Sequence, residues 1–95
     1  MKLTFSPQSV SDLERLKDFI AINNPRAASK IAELIIQNIK LLLEQPKVGL
    51  PVPGTPNEAM RDLYVKQYTI RYLAGAKEII ILRIWHNKES EKDQI

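Results

Sequence analysis

The chain has 95 residues, 44% of them hydrophobic and 26% charged, with a formal net charge of +3 and no cysteine. This length and composition indicate one folded domain with a modest core. The lack of cysteine excludes a disulfide framework and a thiolate nucleophile, and with only one histidine we expect no metal site and no cofactor.

The N-terminal part reads as a short strand followed by two helices. Residues 2–5 alternate polar and apolar side chains, as a strand does. The Ser-Pro pair at residues 6–7 starts the first helix, and the Asn-Pro pair at residues 24–25 ends it and starts the second. We predict that the second helix continues to about Glu44. The first residues also lack the apolar run of a signal peptide, so we expect a soluble cytoplasmic protein with no membrane partner.

The second helix carries two apolar stripes. The first, which we assign to the core, comprises Ala27, Ile31, Leu34, Ile35, Asn38, Leu41 and Leu42. The second, on an adjoining face, comprises Ala32, Ile36, Ile39 and Leu43. A helix that is apolar over so much of its circumference is covered on more than one side. Either the helix lies deep in the domain, or a partner protein covers the second stripe.

The C-terminal part predicts a small sheet. Residues 46–60 form a connecting loop with four prolines and two glycines, and strands follow near 61–66, 68–73 and 78–86. The last strand is apolar at almost every position, as expected of a central strand. The fold is therefore predicted as α+β, with a helical hairpin packed on one twisted sheet in which the N-terminal strand joins the three C-terminal strands. The polar residues 89–95 are expected to form a frayed tail.

The positive charge is concentrated in the predicted sheet. Residues 61–88 contain six Lys or Arg against two Asp or Glu, a difference of +4. Arg61, Arg71 and Arg83 fall one on each strand, and on a shared face they would form a band suited to phosphate or carboxylate. The alternative is that each arginine is paired locally. The candidate target-binding residues are Arg61, Arg71, Arg83, Trp85, His86 and Lys88.

His86 is the natural candidate for a general acid or base, since imidazole takes up and releases protons near neutral pH. With Arg83 or Arg71 as a phosphate clamp, it would form an endoribonuclease site. The alternative is a structural histidine at the end of a strand. Trp85 is either a packing residue or, if exposed, an anchor in an interface.

The order of the elements and several short motifs resemble the RelE/ParE family of bacterial toxins. The motifs are residues 12–13, 24–28, 45–49, 61–63, 68–72 and 81–86. The resemblance implies the toxin of a type II toxin–antitoxin pair, which a cognate antitoxin silences by forming a hetero-oligomer with it. The second apolar stripe and an open sheet edge are then the candidate antitoxin-binding surfaces.

The family has two branches, and the resemblance favours the ParE branch. RelE-like members cleave messenger RNA on the ribosome, whereas ParE-like members inhibit DNA gyrase. The cleaving branch places cationic residues about where this chain has Asp62, Tyr64, Thr69 and Asn87. Because none of these is cationic, we expect a gyrase-binding toxin. Two alternatives stay open: a ribosome-dependent endoribonuclease that uses the histidine site described above, and a degenerate member that retains only antitoxin binding.

Overall fold

A computed structural model of the chain describes residues 1–89 and has an α+β fold. In chain order the elements are β1 (Lys2–Phe5), α1 (Pro7–Asn23), α2 (Pro25–Leu41), β2 (Leu50–Pro51), β3 (Met60–Val65), β4 (Tyr68–Ala74) and β5 (Glu78–His86). The strands form one sheet in the order β1-β5-β4-β3-β2, with β1 parallel to β5 and the other neighbours antiparallel. The predicted fold class and strand pairing are confirmed. The predicted tail lies, from residue 90 onward, outside the described residues.

Both helices begin at the caps that the sequence predicts. The side chain of Ser6 accepts a hydrogen bond from the amide of Ser9 at 3.0 Å, and Asn24 accepts one from the amide of Ala27 at 3.1 Å. Each cap is followed by proline, which has no amide proton to leave unpaired in the first turn. Asn24 is at once the last cap of α1 and the first cap of α2. The two helices therefore form a hairpin without a separate loop.

Helix α2 ends at Leu41 rather than near Glu44. The amides of residues 42–44 bond carbonyls three residues back, so the chain tightens into a turn beyond the helix. The assignment of Leu41 to the core is wrong, because its side chain is 55% exposed. Ile39 is fully buried, so of the two alternatives for the second stripe, burial in the domain applies to this residue and contact with a partner does not.

The spacing of the buried residues explains both findings. Ala28, Ile35, Ile39 and Leu42 are the buried apolar residues of α2 and its C-terminal cap. Their separations of seven, four and three residues keep them on one side of a helix. Leu41 precedes Leu42 by one position, which turns it about 100° away from this row. This row is the fully buried part of the helix, and Ile31, Leu34, Ile36 and Leu43 beside it are partly buried against the core.

The core lies between the helical hairpin and one face of the sheet, which we call the helix-covered face. Strand register pairs its members across β3, β4 and β5, as in Val65 with Tyr68, Ile70 with Ile84 and Tyr72 with Ile81. All of these residues belong to the same buried cluster as Leu16 of α1 and Ile35 of α2. The alternate positions Asp62, Thr69, Arg71 and Trp85 lie on the opposite face.

The proline-rich segment contains a short edge strand, β2, which the sequence did not predict. Hydrogen bonds hold the start of this segment, just after α2, in place. The hydroxyl of Tyr72 accepts a hydrogen bond from the amide of Gly49 at 2.9 Å and donates one to the carbonyl of Pro46 at 2.8 Å. Arg61 donates to the carbonyl of Gly49 at 2.7 Å. These contacts hold the start of the segment against β3 and β4.

Candidate interaction surfaces

Arg71 is held in a buried ion pair on the opposite face of the sheet. It lies directly across from Asp62 in the strand register. Its Nε donates to Oδ1 of Asp62 at 2.9 Å, and its Nη2 donates to Oδ2 at 3.0 Å. This bidentate arrangement fixes the guanidinium group in one plane. Asp62, which stands about where the cleaving branch places a cationic residue, therefore binds the arginine predicted as a phosphate clamp.

Trp85 packs beside this ion pair. The guanidinium carbon of Arg71 lies 5.0 Å from the centroid of the Trp85 ring, which is within cation–π range. Trp85 is only 5% exposed. The expectation of an exposed tryptophan anchor is therefore wrong, and the packing interpretation applies.

Arg83 is held at the open edge of β5. Because β1 pairs with β5 only as far as residue 81, the next part of that edge lacks a strand partner. Asp12 of α1 takes its place: Oδ2 accepts from the amide of Ile84 at 2.9 Å and from Nε of Arg83 at 2.8 Å, while Oδ1 accepts from Nη2 of Arg83 at 3.0 Å. Asp12 thus accepts hydrogen bonds both from a backbone amide at the strand edge and from an arginine side chain.

The contact between Asp12 and Arg83 shifts the pKa of both partners. Burial by itself raises the pKa of Asp12, but the hydrogen bonds from Arg83 and from the amide of Ile84 outweigh this, and the net pKa lies below its ordinary value. The hydrogen bond to Asp12 in turn raises the pKa of Arg83. The sequence analysis missed Asp12. Its signal was a carboxylate in helical register with Ser9 and Leu16, the other buried positions of α1.

The three arginines do not form one cationic band. Arg71 and Arg83 are neighbours across β4 and β5, but Arg61 lies opposite Tyr72 and so belongs to the helix-covered side. Arg61 donates to the loop carbonyls of Lys47 at 3.3 Å and Gly49 at 2.7 Å. Each arginine is thus engaged by a local partner, as in the alternative weighed from the sequence.

His86 lies on the other side of the sheet from Arg71. It is paired in register with Tyr68, and the two rings meet edge to face with centroids 5.1 Å apart. Its Nδ1 accepts from the amide of Lys88 at 3.1 Å, so we assign the ring proton to Nε2, which lies 3.1 Å from Oε1 of Gln67. Both ring nitrogens are occupied. The proposed nuclease set of His86, Arg83 and Arg71 is not assembled around one point.

A groove runs between the C-terminal half of α1 and the end of β5, and we call it the α1–β5 groove. Its volume is about 590 Å³. It is lined by Arg15, Leu16, Phe19, Ile20, Tyr68, His86, Lys88 and Glu89. Of the predicted target-binding residues, it brings together His86 and Lys88.

A second groove, of about 450 Å³, lies between the two helices, and we call it the α1–α2 groove. It is lined by Leu13, Glu14, Lys17, Ala32, Glu33, Ile36, Gln37 and Lys40. Two members of the predicted antitoxin-binding stripe, Ala32 and Ile36, therefore share one surface. Leu43 packs against the core instead, and Ile39 is part of it.

The described part of the chain contains neither a grouped set of metal ligands nor a helix that could span a membrane. Within residues 1–89, no three His, Asp or Glu side chains are grouped so that they could hold a metal ion. In the same range, no helix has both the length and the apolar character needed to cross a membrane. A further groove of about 590 Å³, between the proline-rich segment and β4 and β5, is lined by residues that include Arg71 and Arg83.

Comparison with known proteins defines the class. The solved structure of a chromosomal ParDE toxin–antitoxin system from P. aeruginosa is similar, with a TM-score of 0.76 and 26% identity over 90% of this chain and 95% of that chain. A chain of the RelBE2 toxin–antitoxin complex from Mycobacterium tuberculosis shares the fold, with a TM-score of 0.61 and 21% identity over 90% and 95% of the two chains. Toxin RelE1 of Caulobacter vibrioides is 30% identical over 84 residues, 88% of this chain and 90% of that toxin. Fold and relatives together define a toxin of a type II toxin–antitoxin system.

The family assignment within this class is direct. The family model described as the ParE toxin of the type II toxin–antitoxin system parDE matches residues 3–91. The chain therefore belongs to the ParE toxin family. The resemblance read from the sequence motifs is confirmed.

Proposed function

We propose that this toxin inhibits growth by binding DNA gyrase and that a cognate antitoxin neutralises it in a hetero-oligomeric complex. The proposal rests mainly on how the cationic residues are paired and on which side of the sheet they lie. Arg71 and Arg83 are each held by an aspartate in a bidentate pair, and His86 faces the other side of the sheet. The family match supports the same branch.

The chemistry of messenger cleavage explains why this arrangement favours binding over catalysis. Attack of a ribose 2′-hydroxyl on its own phosphate needs cations at the phosphate and a general base and acid at the reacting oxygens. Here the carboxylate of Asp62 lies against the guanidinium of Arg71 and cancels its charge locally. The ring nitrogens of His86 are bound to Gln67 and to the backbone at Lys88. The described residues therefore support a surface that recognises a protein.

A DNA supercoiling assay with purified gyrase tests the proposal. Relaxed plasmid is incubated with gyrase, ATP and increasing amounts of the toxin. We expect supercoiling to fall as the toxin is added, and to recover when the toxin is first mixed with the antitoxin encoded beside its gene. Normal supercoiling at a large excess of toxin would contradict gyrase as the target.

Ribosome-dependent cleavage is the second candidate, because one relative of this chain is named as a RelE toxin. Primer extension on translated messages would then show new ends when the toxin is expressed, and His86→Ala would abolish them. Cleavage that persists in this variant would rule out the histidine mechanism. Unchanged growth on expression without a partner would instead favour a degenerate member that only binds antitoxin.

We further propose that the antitoxin uses the α1–α2 groove. The floor of this groove is apolar at Leu13, Ala32 and Ile36, and its rim carries both lysines and glutamates. Such a surface fits one face of an amphipathic helix, whose apolar side chains enter the groove while its polar ones meet the rim. The interaction is tested by the Ile36 variant described in the Discussion.

A further inference from the structure

We propose that the α1–β5 groove receives the gyrase target, and that it takes a segment in which an apolar anchor residue is flanked by carboxylates. The inference rests on the proposed function and identifies the surface that would carry it. Four features of the described residues support it: the apolar floor, the exposed aromatic at the rim, the excess of positive charge and the rigid construction of one wall.

The floor and rim of the groove suit an apolar anchor. Leu16, Ile20 and Tyr68 line the floor and are backed by the core, to which all three contribute. Phe19 lines the same groove, but its side chain is 68% exposed. A large exposed aromatic beside an apolar pocket is typical of the centre of a protein interface. A partner side chain seated in the groove would cover Phe19 and complete its burial.

The charge around the groove indicates which residues of the partner would lie next to its anchor residue. Among residues 1–89, the charged side chains that line it are Arg15, Lys88 and Glu89, which sum to one positive charge. Glu89 is directed toward the toxin itself, because Oε2 accepts from Nη1 of Arg15 at 2.7 Å and Oε1 accepts from the amide of His86 at 3.0 Å. Lys88 is exposed beside this pair. Carboxylates next to the anchor would therefore be attracted to the rim.

One wall of the groove is preformed. Arg15 bridges two elements, since its Nη1 binds Glu89 and its Nη2 lies 3.4 Å from Oδ1 of Asp12. Asp12 in turn is bound to the amide of Ile84. The turn that follows β5 is thus fastened to α1 through side chains on both. A groove that is already ordered loses little conformational entropy when a partner binds, which favours affinity.

The two grooves differ in the charge of the described residues that line them. The charged residues lining the α1–α2 groove are two glutamates and two lysines, which balance. Among the described residues that line it, the α1–β5 groove keeps a positive excess of one charge. Occupation by the antitoxin is the competing outcome, and the experiment separates the two.

The test compares four variants of the full chain, in two matched pairs. Phe19→Asp changes the groove, and Ile22→Asp makes the same kind of change at the next exposed apolar residue of α1, which does not line it. Lys88→Glu changes the rim, and Lys77→Glu reverses the same charge at an exposed turn away from it. All four residues are exposed, so we expect unchanged folding, which thermal unfolding monitored by circular dichroism would verify.

Gyrase inhibition and antitoxin affinity are measured for each variant. We expect Phe19→Asp and Lys88→Glu to raise the toxin concentration for half-maximal inhibition about tenfold or more, while the controls stay within about twofold of wild type. Antitoxin affinity should stay within about twofold in all four variants. If the groove variants inhibit as wild type does, or lose antitoxin affinity to the same extent, the inference is wrong. A wild-type toxin that leaves gyrase untouched would instead overturn the proposed function and this inference together.

Discussion

At the scale of single residues, two aspartates organise the cations of the sheet. Asp62 binds Arg71 within the sheet, and Asp12 reaches from α1 to bind Arg83 and the backbone of β5. A buried charge that loses its partner is costly, because the protein interior solvates it poorly. The primary role of these arginines is therefore to stabilise the fold through their ion pairs.

Replacing Arg71 with methionine tests its structural role. The variant leaves the carboxylate of Asp62 buried without its bidentate partner, and we expect the free energy of unfolding to fall by about 3 kcal/mol. Urea denaturation followed by circular dichroism measures this change. Arg26→Met, which removes the same charge from an exposed position, should change it by less than about 0.5 kcal/mol. A loss below about 1 kcal/mol in Arg71→Met would contradict the structural role.

The lowered pKa of Asp12 predicts that the stability of the fold depends on pH. Because its pKa is lower in the folded chain than in the unfolded one, the unfolded chain binds more protons between the two values. The stabilisation by the ionised carboxylate is complete above the unfolded pKa of about 4, and it is lost as the pH falls through the folded pKa. In urea titrations, the advantage of wild type over Asp12→Asn should therefore shrink below about pH 4.

The control for this titration is Asp18→Asn, which removes a carboxylate from an exposed position of the same helix. Subtracting its effect isolates the contribution of the buried site from the general effect of net charge. A difference between wild type and Asp12→Asn that stays constant from neutral pH to pH 2.5 would show that the ion pair with Arg83 does not stabilise the fold through the charge of Asp12.

At the scale of elements, short sequence patterns predicted the helix starts and the strand bounds, which depend mostly on neighbouring residues. The caps at Ser6 and Asn24 fixed the starts of both helices, and alternation placed β3, β4 and β5 to within a residue at each end. The two-residue strand β2 was not predicted, because it is too short to show alternation of apolar and polar side chains and one of its two residues is proline. The bond between Asp12 and Arg83 joins residues 71 positions apart. No local pattern encodes such a pair, so the pairing of Arg83 with Asp12 could not be read from the sequence.

The anchorage of the proline-rich segment is tested by Gly49→Ala. A Cβ at this position would lie 2.6 Å from the hydroxyl oxygen of Tyr72 and 2.9 Å from the backbone oxygen of Asp62. Neither neighbour moves freely, since Tyr72 is fully buried and the carbonyl belongs to β3. We expect the variant to lose about 2 kcal/mol of unfolding free energy, whereas Lys47→Ala in the same segment changes it little. Equal stability of the two variants would contradict the anchorage.

At the scale of the whole molecule, α1 contributes to two separate surfaces. Leu13 and Lys17 line the α1–α2 groove, whereas Phe19 and Ile20 line the α1–β5 groove. The sequence identified the apolar residues of α2 that lie in the first groove, but it could not predict that the end of β5 meets α1 to form the second. That contact depends on the register of the sheet and on the ion pairs that fasten the strand to the helix.

The proposed antitoxin surface predicts the behaviour of Ile36→Glu. This residue is half-buried and lines the α1–α2 groove, so a carboxylate there would oppose an apolar partner. We expect antitoxin affinity to fall about tenfold or more, measured by isothermal titration calorimetry, while the isolated toxin stays folded. Leu41→Glu, an exposed position on the same helix outside the groove, should bind as wild type. Unfolding of the Ile36 variant by itself would show that this position belongs to the core.

The function proposed for this toxin is recognition of gyrase through a binding surface, and among the described residues His86, Arg83 and Arg71 are not assembled into one site. The most direct measurement is surface plasmon resonance with purified gyrase passed over the immobilised wild-type toxin, with the Lys88→Glu and Lys77→Glu variants in parallel channels. We expect saturable binding to wild type and Lys77→Glu, and binding at least about tenfold weaker to Lys88→Glu. No binding of gyrase to the folded wild-type toxin would contradict the proposed function.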